Sequence, residues 1–258
     1  MAPGVASRSQ YAGAAMSENP PIGLMLVPLP LVVGTVIGII VCFAAGSWLW
    51  GFVALVVAAL AVAGIAYVMA ESLALRLLKA RPLAEGGSIA LRNQLEELCA
   101  RTGVSEPDLY TVGGGAPAIA SVGRAGSALV VTDGLADDLT VVELEAAVAR
   151  ELARISTGST TVDTLAVSFL TWPFGFLGGL TRKALDFFRG GDHDARVDLA
   201  GIGITRYPPG MSAALSKMTD MPATPKAVSH LWAVGESTDE SVPGNFGIED
   251  RLAMLAEL

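Results

Sequence analysis

Residues Glu143 to Ser156 read ELEAAVARELARIS, and with the preceding "LTVV" they form a helical pattern whose N-cap is Thr140, with Glu143 three residues on. The second half of this helix carries Arg150, Glu151 and Arg154. Residues four apart share a helical face, so the two arginines stand on either side of one carboxylate. With histidine at both positions the run would read H-E-L-A-H. The remainder of the chain decides between an altered metal site and a chance echo in an ordinary helix.

The chain has 258 residues, 52% of them hydrophobic, and a formal charge of -8. Its mean hydropathy of +0.54 exceeds ordinary soluble usage, so a membrane segment is expected. The acidic surplus argues against nucleic-acid binding, which needs clustered Lys and Arg on the phosphates. Cys42 falls in an apolar run and Cys99 in a helical pattern, without C-x-x-C spacing, so both are expected as buried thiols rather than a disulfide.

No charged residue occurs from Ile22 to Trp50, and "LVVGTVIGIIVCFAAGSWLW" supplies about the 20 apolar residues that span a bilayer core. After a short break at Ser47 to Gly51, Phe52 to Ala70 is again charge-free. The two runs predict a transmembrane helical hairpin over 22–70, with Trp48 and Trp50 at its tip and with Pro28 and Pro30 leaving the start of the first helix open. They are too long, and too closely followed by one another, for a cleaved signal peptide. Arg76, Lys79 and Arg81 follow the second run, which by the positive-inside rule places residues 71–258 in the cytoplasm of a multi-pass plasma (inner) membrane protein. Residues 1–21 form an N-terminal tail on the same side.

Beyond the hairpin, "ALRNQLEELCARTGV" (90–104) predicts a helix ending at Gly103. "PDLYTV" and "SALVVTDGL" predict strands, separated by the Gly-rich "GGGAPAIASVGRAG", read as a plain turn because it matches no phosphate-loop pattern. Val162 to Leu180 is strongly apolar but opens with Asp163 and contains Pro173 and glycines. It reads as a re-entrant or interfacial helix, or a buried hairpin against the membrane. "VDLAGIGIT" and "PPGMSAALSKM" predict two helices split by Pro208 and Pro209, and "IEDRLAMLAEL" a final amphipathic one.

Taken in order, the membrane hairpin, "GVSEPDLYTV", "VVTDGLADDLTVVELEAAVARELARI", "AALSKM", "SHLWAV" and "GIEDRLAML" resemble the HtpX-like membrane zinc metallopeptidases over roughly residues 25–258. The resemblance implies an α+β chain: a mainly helical, zincin-like metallopeptidase domain with a small β-sheet behind the transmembrane hairpin. In that family the two histidines of H-E-x-x-H bind zinc, the glutamate between them is the general base, and a glutamate on a later helix is the third ligand.

Carried onto this chain, the resemblance puts Arg150 and Arg154 at the histidines, keeps Glu151 as a relic base, and puts Arg196 at the third ligand with Asp198 at the following aspartate. A shifted alignment puts Asp194 at the third ligand instead. A guanidinium has donors only and does not deprotonate, so it cannot ligate zinc. No cofactor is therefore expected. His193, in a charged linker, is expected to be solvated, and His230 to be packed.

Three arginines brought together need counter-charges, for which Glu151, Asp194 and Asp198 are the candidates, as an internal salt-bridge network or as a site for an external anion. The expected function is that of a catalytically inactive, membrane-anchored subunit with a structural or regulatory role, partnered by the bilayer and other integral membrane proteins. Two alternatives stand beside it: an arginine-lined anion or lipid sensor, and a membrane quality-control protease with an unrecognised site.

Overall fold

The computed structural model describes residues 28–84, 87–124, 126–171, 192–218, 222–235 and 247–258. Two apolar helices open it, α1 (Pro28–Ala45) and α2 (Trp48–Leu78). By length and composition α2 is able to cross a membrane, and Leu31–Ala45 is a shorter apolar helix. The break between them is Gly46 and Ser47, shorter than the expected break at Ser47 to Gly51 and beginning one residue before it. Gly46 adopts a φ of 63°, the left-handed conformation glycine enters without penalty. Trp48 and Trp50 thus belong to the first turn of α2 rather than to a loop.

The two helices run antiparallel in close contact, because glycines remove the side chains that would hold them apart. A Cβ at Gly38 would stand 2.7 Å from the Gly51 carbonyl, and one at Gly51 would stand 2.7 Å from Cys42 Cβ. Cys42 is accordingly only half-buried at this contact, whereas Cys99 is buried; both thiols are free. Residues 22–27 of the expected first span lie outside the described residues.

Helix α2 does not stop at Ala70. It continues through Glu71 and Arg76, where Ala70, Ala74 and Leu78 are buried and Ala74 and Leu78 pack on a β-sheet. The sheet has four strands, β1 (Arg81–Pro82), β2 (Asp108–Val112), β3 (Ile119–Val122) and β4 (Ala128–Thr132), in the order β1-β2-β4-β3. β2 and β4 are parallel, and the two outer pairings are antiparallel. β3 lies inside the Gly-rich run that reads as a turn in the sequence. Its four residues are all buried, so packing rather than β-propensity selects the extended conformation.

Helix α3 (Ile89–Thr102) is capped by Ser88 and ends at Gly103, with φ 74°. After a single turn, α4 (Leu135–Asp138), comes α5 (Val141–Ser156), which opens with a reciprocal capping box between Thr140 and Glu143. It is followed by α6 (Ser159–Thr171), α7 (His193–Thr205), α8 (Pro208–Lys217), a 3-10 turn at Ser229–Leu231, and α9 (Ile248–Ala256). Residues 172–180 of the ambiguous apolar segment lie outside the described residues.

All of β4 is buried, because both sheet faces are covered. Leu129, Val131 and Ile119 join the core formed by α3, α5 and α8. Ala128, Val130, Ala120 and Val122 join Ala74, Leu78, Val167 and Trp232 on the other face. The chain is thus mostly helical with a small mixed sheet, and α5 lies at its centre.

Candidate functional site: a buried ion network on the central helix

Arg150, Glu151 and Arg154 on α5 are buried, at 0%, 0% and 2% exposure. Burying ions is costly unless each is paired and hydrogen-bonded. The surrounding elements supply the partners.

Glu151 Oε1 accepts from Arg150 Nη1 at 2.6 Å. Its Oε2 accepts from the Ser121 amide at 2.9 Å, from Ser121 Oγ at 2.6 Å and from Arg154 Nη1 at 3.4 Å. Because the Ser121 hydroxyl proton goes to the carboxylate, the Thr160 hydroxyl, 2.9 Å away, is the donor to Ser121 Oγ. Both oxygens of Glu151 are therefore engaged by protein donors, and the side chain is fully buried.

Arg150 extends its Nε to Asp198 Oδ1 at 2.7 Å and its Nη2 to Asp194 Oδ1 at 3.2 Å. These carboxylates come from α7, which presses directly on α5: a Cβ at Gly201 would stand 2.9 Å from Arg150 Cα. Only glycine permits that approach. Arg154 turns the other way, with Nη2 at 2.6 Å from Asp163 Oδ2 on α6 and Nη1 at 2.5 Å from the Leu231 carbonyl. Burial alone would lower the pKa of both arginines. The carboxylates outweigh it, Asp198 first for Arg150 and Asp163 first for Arg154, and both are raised above the ordinary arginine range.

Asp198 is shared. Arg251, on α9 and 3% exposed, forms a two-pronged pair with it, Nε to Oδ2 at 2.6 Å and Nη2 to Oδ1 at 2.8 Å, and donates Nη1 to the Ala233 carbonyl at 3.3 Å. The chain of alternating charge runs Asp163, Arg154, Glu151, Arg150, Asp198, Arg251, with Asp194 at its 43%-exposed margin.

The structure brings Arg150, Glu151, Arg154, Asp194 and Asp198 together. Arg196 is placed otherwise: its Nη2 is 3.3 Å from Asp192, one turn earlier on its own helix, at 21% side-chain exposure. Arg150 instead faces Glu151 at 2.6 Å, Asp198 at 2.7 Å and Asp194 at 3.2 Å. Asp163 and Arg251 are the members that sequence reasoning missed. His193 is also placed differently: it is the first residue of α7 and is buried, at 8% exposure. His230 is half-buried, its Nε2 at 3.0 Å from the Asp163 carbonyl.

The residues at the positions of the implied zinc ligands do not fit the metal, since Arg150 and Arg154 offer donors only. Among the described residues no group of three or more His, Cys, Asp or Glu side chains is arranged to hold a metal ion.

No family model and no solved structure matches the chain. Over 105 residues it is 32% identical to the Protease HtpX homolog of Pelotomaculum thermopropionicum, covering 40% of this chain and 37% of that protein. The match thus spans little more than a third of the relative's length. It supports kinship with the HtpX-like proteases over that stretch.

Proposed function

We propose that this chain is a catalytically inactive, metallopeptidase-like membrane protein that serves as a structural or regulatory subunit of a membrane assembly. A zincin-like domain behind a transmembrane hairpin is the architecture this reading assigns it. The observation that carries it is the state of Glu151: a general base needs a free oxygen directed at water, and both of its oxygens are bound by Arg150, Arg154 and Ser121. The arginines at the former ligand positions act as cross-links between helices, a role a structural metal otherwise fills.

Charge balance weighs against the anion-sensor reading. Arg150, Arg154 and Arg251 are matched by Glu151, Asp163 and Asp198, with Asp194 in addition, so the cluster has no surplus positive charge to offer a ligand.

The test is affinity purification from native membranes in a mild detergent, with particle mass and composition read by mass spectrometry. Stoichiometric integral-membrane partners are expected, together with no cleavage of an unstructured protein substrate when zinc is supplied. Recovery of the chain alone, or cleavage that Glu151→Gln abolishes, overturns the proposal.

A further inference from the structure

A cavity of about 720 Å³ opens where three elements end together, and none of its lining residues belongs to the ion network. Helix α2 reaches it with Leu77 and Leu78, followed by Lys79. The parallel strands β2 and β4 bring their carboxyl ends to it at Val112 and at Asp133, the residue after β4. The crevice outside the carboxyl ends of parallel strands is a usual place for small molecules, and 720 Å³ lies within the range of ligand pockets.

The walls differ in chemistry. Leu78, Val112 and Pro222 are buried and form an apolar floor. Lys79 and Arg81, both exposed, form a cationic rim, and among the described residues neither stands within ion-pair distance of a carboxylate. Asp133, also exposed, supplies the opposite charge. Its Oδ1 accepts from the Thr111 hydroxyl, and its Oδ2 lies over Gly113, 4.0 Å from where a Cβ would stand.

The strand order fixes the separation of the charges. Arg81 on β1 pairs with Thr111 on β2, and β4 lies on the far side of β2. The cationic and anionic walls are thus two strand spacings apart, about 10 Å. Three extended residues span about the same length, at about 3.3 Å each, whereas a single amino acid is too short to reach both walls. The free ends of a peptide carry a carboxylate and an ammonium near neutral pH, the two charges these walls complement.

We infer that this cavity binds a short peptide with free ends, its carboxylate on Lys79 and Arg81, its ammonium on Asp133 and its apolar side chains on Leu78, Val112 and Pro222.

The test is isothermal titration calorimetry on the full chain in phospholipid nanodiscs, with the tripeptide Ala-Leu-Ala, its N-acetylated form and its C-amidated form. Saturable binding of the free peptide is expected, weakened about tenfold or more by either block, since each removes one charge-assisted contact. The double variant Lys79→Gln, Arg81→Gln is expected to bind the free and C-amidated forms equally, and Asp133→Asn the free and N-acetylated forms equally. Gly113→Val, whose Cβ would meet nothing nearer than Asp133 Oδ2, fills the space and is expected to abolish binding with the thermal midpoint retained. The blocked peptides are compared on the parent protein, so the outcome does not depend on a variant folding. No saturable binding of the free peptide, or equal binding of all three forms, overturns the inference. Inorganic phosphate binding as tightly as the peptide would assign the cationic wall to a free anion and overturn it as well.

Discussion

Arg154 and Asp163 meet at 2.6 Å, with side chains only 2% and 1% exposed. The pair cross-links α5, the central helix of the domain, to α6, the helix that packs along α2. Arg154 Nη1 reaches a third element, the Leu231 carbonyl. One side chain therefore holds three segments.

Removing one partner of such a pair leaves a buried charge uncompensated. Asp163→Ala is expected to cost about 3–5 kcal/mol, read as a large drop in thermal midpoint in mild detergent. The double variant Arg154→Met, Asp163→Leu is expected to recover much of that loss, because apolar replacement removes both desolvation costs together. Equal destabilisation by the single and double variants would show that the pair is not the source of the effect.

The contact between α1 and α2 gives a matched pair of substitutions. A Cβ at Gly38 would meet the Gly51 carbonyl at 2.7 Å and Leu55 Cβ at 2.8 Å, whereas one at Gly64 would meet nothing within 4 Å. Gly38→Val is expected to cost about 1–3 kcal/mol by overpacking. Gly64→Val is expected to be near neutral. Tryptophan emission from Trp48 and Trp50 during unfolding in detergent, in a Trp172→Phe, Trp232→Phe background, reads both, and equal behaviour would count against the close helix contact.

The parts of this architecture that are legible in the sequence are local. The capping box at Thr140, the stop at Gly103 and the helical spacing of Arg150, Glu151 and Arg154 are each decided within a few residues. The parts that are not legible depend on distant neighbours. β3 is hidden in a Gly-rich run because its extended form is imposed by α5 and β4. Arg251 lies 53 residues from Asp198, in a helix that also carries Glu249 and Asp250, and so reads as part of a solvated face. Asp163 did carry a signal. A lone carboxylate opening a long apolar stretch must find a cation if it is buried, and the nearest preceding one is Arg154.

Acid sensitivity is expected at the start of α5. Partial burial works to raise the Glu143 carboxyl, but the hydrogen bond from Lys217 at 2.7 Å and those shared with Thr140 hold it below the usual glutamate range. A carboxyl lowered on folding adds stability above its unfolded pKa and loses it as pH falls through the folded value. Glu143→Gln, which preserves the capping geometry, is expected to be less stable than the parent at pH 7. Lys217 is 41% exposed, so the difference is about 1 kcal/mol or less. The two stability curves should converge below about pH 4, and a constant offset across the acid range would remove the carboxylate as its cause.

Asp198 separates the two arginines that compete for the third place in the cluster. It is fully buried and receives Arg150 on one oxygen and the two-pronged Arg251 across both. Losing Arg251 strips Asp198 of two charged hydrogen bonds and frees the Ala233 carbonyl, none of which Arg150 can replace from its own position. Arg251→Met, close in volume, is therefore expected to cost about 3–5 kcal/mol. Arg196 pairs with Asp192 at 3.3 Å within one helix, where such a pair is worth about 0.2–0.5 kcal/mol. Arg196→Met is therefore expected to shift the thermal midpoint far less. If the two substitutions proved equally costly, or Arg196→Met the worse, Arg196 would have to be placed in the network after all. Restoration of an Arg251→Met variant by the further change Asp198→Asn would identify the unpaired carboxylate as the origin of the loss, since the neutral amide no longer needs a second guanidinium.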